Sequence, residues 1–335
     1  MQRSASFPSR RAVLQGMAAL GGAALLGRAA AQTGQWPAKP IRIVVPYNAG
    51  GGTDIIARAL AEPMSRLLGQ PVVVDNKGGA GGILGTDAVL KSPPDGHTLL
   101  VGLGTSMMVN QYLYAKLPHN LQKDMALVTQ IATAPVVLVA HPSVPAGNMK
   151  ELLAYLGANK GKFSYGSWGQ GSQAHLVGAY ISKSANADMA HAAYKGEAPM
   201  LQDLIGGPIQ FCLASVASTR PFIEAGRLKA IGLIGRQRVP SLPNVPTIYE
   251  QGLTDDPYSL VGWIGMGAPA GIPRPVLDKL AAVMAEVARD AKVQEQILSI
   301  GGVSAIAGPE AFRTAYLGDV PQWKALIEAA NVRLD

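Results

Sequence analysis

The chain has 335 residues, 48% of them apolar, and a formal charge of +7 at neutral pH. That apolar fraction builds a buried core and excludes a disordered chain, and the length suggests about two domains. Residues 1–31 hold Arg3, Arg10, Arg11 and Arg28 and no acid, so the rest carries only +3 without a basic block, which excludes an electrostatic footprint for nucleic acid.

Arg10-Arg11 precede an apolar run over 12–26, and the small residues Ala29-Ala30-Ala31 follow. A basic start, an apolar segment too short to span a bilayer and a small-residue exit describe an export signal cleaved near Ala31. The arginine pair resembles a twin-arginine address, although Val13 and Gln15 depart from that pattern and leave the general secretory route open. Cys212 is the single cysteine, so the exported chain has no internal disulfide, and its apolar run 209–213 predicts a buried packing role.

Residues 41–45 predict a strand, and an amphipathic helix is expected to about residue 68. Between them lies Pro46-Tyr47-Asn48-Ala49-Gly50-Gly51-Gly52-Thr53-Asp54, a strand–glycine–helix turn. Glycines let the backbone turn sharply and approach a ligand, Thr53 or Asp54 can cap the helix, and free N–H groups at its start favour an anion. A plain βα turn without a ligand satisfies the same stretch. A strand at 72–74, a glycine-rich turn at 75–82, a helix at 83–90 and a strand at 97–101 extend a parallel α/β sheet.

Apolar runs at 127–131 and 135–140 read as strands passing into a second domain, followed by a helix at 149–158. The opening logic then repeats: a short strand at 162–165, the loop Gly166-Ser167-Trp168-Gly169-Gln170-Gly171-Ser172 and a helix at 173–184. A strand near 189–191, a helix at 197–205, a strand at 209–213, a helix at 216–225 and a strand at 228–233 complete this half. Pro240, Pro243 and Pro246 mark a non-helical crossing, 247–251 reads as a short helix, and 261–266 as a strand returning to the first sheet. Helices at 274–288, 291–300 and 309–330 close the chain. The expected architecture is two α/β domains, each a mostly parallel sheet flanked by helices: residues 32–130 with 251–335, and 131–250. Both glycine loops then open into one cleft beyond the carboxyl ends of the strands.

The five histidines are scattered, with no His-Glu-x-x-His and no paired cysteines, so no metal site is expected. There is no nucleophile elbow or phosphate loop. Gly169-Gln170-Gly171-Ser172-Gln173-Ala174 fits a dinucleotide fingerprint, but Ser167 and Trp168 crowd the turn, its strand is short and the signal is weak alone; no cofactor is expected. What remains is neutral donors: Thr53, Thr105, Ser106, Ser167, Ser172, Gln173 and the loop amides, an inventory suited to carboxylate capture. Asp54 can accept from a ligand hydroxyl or amine, and Tyr47 and Trp168 can stack on a ring or cover an aliphatic body. Helix capping by Asp54 and packing by Trp168 are the competing readings.

Several segments together resemble one family. They are Trp36 to Pro46, Gly50 to Asp54, Gly69 to Lys77 with Gly79 to Gly82, Pro94 to Leu100, Tyr165 to Ser172, Tyr194-Lys195-Gly196, Leu242 to Thr247 and Ala268 to Pro273, in order and at the right spacing. On these the chain is similar to the Bug family, the extracytoplasmic solute receptors of tripartite tricarboxylate transporters. The resemblance implies a two-domain Venus-flytrap receptor, free and monomeric in the periplasm, that hands a small carboxylate to a membrane transporter. It implies carboxylate contacts at Gly51, Gly52, Thr53, Asp54, Ser167, Gly171 and Ser172. The sequence departs at Asn48-Ala49, where a proline-rich pair is more usual, and at Trp168, where a small residue is frequent; both fall in the expected cleft. With Trp168 and Tyr47 flanking the cradle, an aromatic or otherwise bulky carboxylate is expected. A subunit presenting its closed form to a membrane sensor and a periplasmic enzyme using the same cleft are the alternatives.

Overall fold

The computed structural model describes residues 36–335, so the expected export segment lies outside the described residues. The fold described below is that of the compact unit Lys39–Asp335. Its first sheet opens with β1 (Ile41–Val45), whose apolar side chains are almost all buried, and α1 (Gly52–Leu68). α1 ends at Gly69, which takes the left-handed conformation that a residue without Cβ tolerates. β2 (Val72–Asn76), α2 (Ile83–Leu90) and β3 (Thr98–Leu103) follow as read from the sequence. The stretch after β3 is helical, with a wide turn at Thr105–Val109 and α3 (Asn110–Leu113). Then come α4 (Leu121–Asp124) and the long β4 (Met125–Ala134).

The second sheet is built from β5 (Val136–Ala140), β6 (Ser164–Ser167), β7 (Ala190–Ala193), β8 (Phe211–Ser215) and β9 (Lys229–Leu233). Its helices are α5 (Met149–Ala158), α6 (Gln173–Ser184), α7 (Glu197–Gly206) and α8 (Val216–Glu224). β10 (Gly262–Pro269) then returns to the first sheet, and α9 (Arg274–Val287), α10 (Ala291–Ser299) and α11 (Pro309–Ala330) end the chain. Residues 247–251 are not the expected helix. Thr247 and Glu250 exchange reciprocal hydrogen bonds, Thr247 N–H to Glu250 Oε2 at 2.7 Å and Glu250 N–H to Thr247 Oγ1 at 3.0 Å. These close one turn, and Gly252 at φ +87° ends it before a second can form.

The two sheets share one topology. The first runs β2-β1-β3-β10-β4 and the second β7-β6-β8-β5-β9. In each, three strands pair in parallel and the fourth position holds a strand antiparallel to both neighbours. That reversed strand is the one supplied from the other lobe: β5 follows β4 across Pro135, and β10 follows β9 across the proline-rich segment. β4 stays paired with β10 up to Ala134, opposite Gly262, so the first sheet extends past residue 130. One residue beyond Pro135, Val136 pairs with Ser215 in the second sheet. The crossing is therefore a single residue between two ladders.

Both sheets have dense apolar centres. Ile41, Ile43, Leu99, Leu100 and Met107 are fully buried in the first lobe, and Leu138, Leu176, Ile181 and Met200 in the second. Cys212 is buried in β8, as expected; burial pushes its thiol pKa well up, and the charge of nearby Glu197 adds to this. α11 packs against β4 of the first sheet and α6 of the second lobe, where Lys183 Nζ donates to the Ala329 carbonyl at 3.1 Å.

Candidate functional site

A narrow cleft with a cavity volume of about 50 Å³ lies between the sheets, at the carboxyl ends of β1, β3, β6 and β8. Its floor is the crossing itself, Ala134, Pro135 and Val136 beside Gly262 and Ser215. Of the residues singled out in the sequence, Tyr47, Asn48, Gly51, Gly52, Thr53, Asp54, Thr105, Trp168 and Gln173 line it. Ser106, Ser167, Gly171 and Ser172 are not part of the lining, and each is engaged elsewhere.

The first glycine loop is braced from behind. Lys77 N–H donates to the Val45 carbonyl at 2.8 Å, and Asn76 Nδ2 donates to the Tyr47 carbonyl at 3.1 Å. Gly50 turns at φ +91°. The residue before α1 is Gly51 and it supplies no side-chain cap, so neither Thr53 nor Asp54 holds the cap position. Asp54 stands instead in the first turn and reaches back, its Oδ2 accepting from Gly50 N–H at 3.0 Å and from Arg58 Nε at 3.1 Å. Burial alone would raise the Asp54 pKa. The hydrogen bonds from Arg58 and Gly50 outweigh it and hold the carboxyl below the usual range.

The second loop is held by its own histidines. Ser167 Oγ donates to the Gly169 carbonyl at 2.9 Å and lies 2.7 Å from His191 Nε2. Gly171 N–H donates to His175 Nδ1 at 3.0 Å, and Ser172 Oγ accepts from His175 N–H at 3.3 Å as the N-cap of α6. The two imidazoles stack with centroids 3.8 Å apart and planes within 5°. Burial lowers the His175 pKa to about 4; burial, then the charge of His175, lowers that of His191 to about 3. Both rings are therefore neutral near pH 7, and of this loop Trp168 lines the cleft.

The lobes touch along the rim. Asn48 N–H donates to the Lys195 carbonyl at 3.1 Å. Gly81, at φ +60°, comes so close to the second loop that a Cβ there would lie 2.4 Å from the Gln170 carbonyl oxygen. The glycines at 79–82, read from the sequence only as a second turn, are thus what lets the two loops meet.

Two amides of the first glycine loop are taken by the protein's own carboxylates. Gly50 N–H belongs to Asp54, and Gly52 N–H donates to Glu197 Oε2 at 3.4 Å. The lining contains no Lys, Arg or His and two acids, Asp54 and Glu197. Four lining residues carry a buried polar atom without a partner, Trp168 Nε1, Trp323 Nε1, Tyr47 Oη and Asp54 Oδ1. The Tyr47 hydroxyl faces Ser106 without making a full hydrogen bond, and burial pushes its pKa up. Gln173 Nε2 donates to the Leu260 carbonyl at 2.6 Å, leaving its oxygen as the available group. Trp323 on α11, Trp263 on β10 and Glu197 on α7 are lining residues that the sequence reading did not select. Trp263 is fixed by Nε1–H donation to Asp319 Oδ2 at 2.8 Å and by edge-to-face packing on Phe312. Among the described residues no three His, Cys, Asp or Glu side chains gather as a metal cluster, and no helix is long and apolar enough to cross a membrane.

Two mixed α/β lobes of matching topology, joined at the floor of a cleft lined by aromatic and small residues, define a periplasmic-type solute-binding protein. The family model described as "Tripartite tricarboxylate transporter family receptor" matches residues 56–332. The chain belongs to that receptor family. It is 36% identical over 293 residues to the "UPF0065 protein in tcbD-tcbE intergenic region" of Pseudomonas sp. (strain P51), covering 87% of this chain and 86% of that one. The solved periplasmic binding protein BugD superposes with a TM-score of 0.84 at 34% identity, over 90% of this chain and all of BugD. Rpa4515 of R. palustris, solved with adipate, gives 0.85 at 27% identity, over 90% of this chain and all of that one. MatC from Rhodopseudomonas palustris, solved with bound malate, gives 0.82 at 27% over 87% and 100%.

Proposed function

We propose that this receptor captures a small organic carboxylate with an apolar, preferably aromatic, body and delivers it from the periplasm to a membrane transporter. The observation that carries the reading is the set of buried, unpartnered donors on the residues of a cleft whose lining holds no cation. Two indole N–H groups and a phenol line a space with no cation, and a buried donor without a partner destabilises the protein by about 1–3 kcal/mol until an acceptor arrives. A ligand carboxylate or carbonyl supplies that acceptor. The relatives solved with adipate and malate support a carboxylate. Asp54 Oδ1 is suited to a ligand hydroxyl or amine.

On this reading the ligand contacts come from Tyr47, Asn48, Gly51, Gly52, Thr53, Asp54, Thr105, Trp168 and Gln173, with Trp323 and Trp263 added. Ser106, Ser167, Gly171 and Ser172 support the walls. Residues 32–130 with 251–335, extended through β4 to Ala134, close as one domain against the remainder of 131–250, the receptor works as a monomer, and export removes the segment up to Ala31. Thermal-shift titration with benzoate-type acids and aliphatic mono-, di- and tricarboxylates tests the proposal. Stability should rise with the logarithm of ligand excess, by about 2.7 kcal/mol at a hundredfold excess over Kd. No stabilisation by any carboxylate would overturn it, stabilisation by aliphatic members alone would remove the aromatic preference, and recovery of a chemically altered ligand would favour an enzyme.

A further inference from the structure

Glu197 is the first residue of α7, yet its carboxylate does not serve that helix. Oε1 accepts from Ser215 N–H at 2.7 Å. Oε2 accepts from Ser215 Oγ at 2.7 Å, Ser218 Oγ at 2.9 Å and, from the opposite lobe, Gly52 N–H at 3.4 Å. Ser215 is the N-cap of α8, and Gly52 is the first residue of α1. Two helix N-termini, one from each lobe, therefore point at a single carboxylate of the protein itself. Such a place favours an anion because free N–H groups and the positive ends of two helix dipoles coincide. Cβ atoms built on Gly51 and Gly52 would lie 3.5 Å from Glu197 Oε2 and 3.2 Å from Ser215 Cβ, so the loop fits closely around the occupied site.

We propose that Glu197 is a resident anion that takes the place of a ligand carboxylate at this meeting of helix termini, and thereby restricts the cleft to solutes bearing one carboxylate. The inference rests on the carboxylate-receptor reading and narrows it. With Gly52 N–H and Ser215 N–H engaged by Glu197, the ligand's acid group turns to the unpartnered indole N–H groups of Trp168 and Trp323. A second ligand carboxylate would enter a lining that has two acids and no cation, where like charges in a low dielectric repel strongly. Asp54 offers it nothing, since its charge is already paired with Arg58 and its free oxygen is an acceptor.

The test is calorimetric titration with matched pairs, benzoate against terephthalate and butyrate against succinate, using the wild-type protein, Glu197→Ala and Glu197→Gln. The wild type is expected to bind at least one monoacid tenfold or more tightly than its diacid partner. Glu197→Ala, which frees Gly52 N–H and Ser215 N–H, should narrow that ratio at least tenfold through a gain on the diacid arm. Glu197→Gln keeps the shape without the charge and should shift the ratio the same way by less. A wild type that binds either diacid as tightly as its monoacid overturns the inference and leaves the receptor reading intact. An unchanged ratio in Glu197→Gln does the same, and it decides the matter if Glu197→Ala fails to fold. Absence of binding by all four acids to every protein overturns the receptor reading and the inference with it.

Discussion

At the residue scale, the side chains split by whether their polar atoms are already engaged. Trp323 is 1% exposed with its indole N–H unpartnered, so Trp323→Phe keeps an aromatic ring, leaves a small cavity and removes one donor. Ligand affinity should fall about 5- to 150-fold, for one hydrogen bond of about 1–3 kcal/mol, with the circular dichroism spectrum unchanged. Ser172 falls on the other side. Its hydroxyl caps α6, so Ser172→Ala should lower unfolding free energy by about 1 kcal/mol in urea and leave affinity nearly untouched. The stacked histidines make stability depend on pH. Above pH 6.5 both folded and unfolded chains hold them neutral. Below it the unfolded chain takes up protons that the fold refuses until about pH 4 for His175 and about pH 3 for His191. Stability should therefore fall as pH drops from 6.5 towards 4, by up to about 1.4 kcal/mol per pH unit for each ring. Urea melts at pH 7 and pH 5 measure this, and His191→Gln should flatten the slope. An equal slope in the variant would place its origin elsewhere.

At the element scale, what could be read from the sequence was what is local. β1, its glycine loop and α1 are written in consecutive residues: an apolar run, Pro46, three glycines and an amphipathic segment. The ends of α5, α6 and α11 matched for the same reason, because Asn148, Ser172 and the Gly308-Pro309 step mark their starts. The stretch 105–113 escaped reading because its helical turns carry no cap and follow Gly102 and Gly104. Non-local partners were invisible. Nothing in Tyr194-Lys195-Gly196-Glu197 says that its carboxylate will find Gly52, and nothing in α11 says that Trp323 will line the cleft. Sequence shows the hydroxyls of Ser167 and Ser172 but not the groups that engage them in the fold, the His191 imidazole for Ser167 and the backbone N–H of His175 for Ser172. The close approach of the two glycine loops gives a prediction at this scale. Gly81→Ala puts a Cβ against the Gln170 carbonyl and a strained φ on the backbone, so it should hold the lobes apart. The expected result is at least tenfold weaker ligand binding and a larger radius of gyration by small-angle scattering.

At the scale of the whole molecule, the exchange of reversed strands ties assembly to the order in which the chain becomes available. β3 and β4 do not pair with one another; β10, at Gly262–Pro269, lies between them. Until that segment arrives, each presents an open edge ready to pair with another chain. The first sheet to begin is thus the last to close, whereas the second is complete once Leu233 has emerged. A fragment ending at residue 260 should keep a cooperative second lobe at best and aggregate through the first, a result that limited proteolysis and light scattering would read directly. Such a late keystone delays compaction of the first lobe until the C-terminal segment is available. For anyone splitting the gene into two expression halves, it means that neither half contains a whole lobe one.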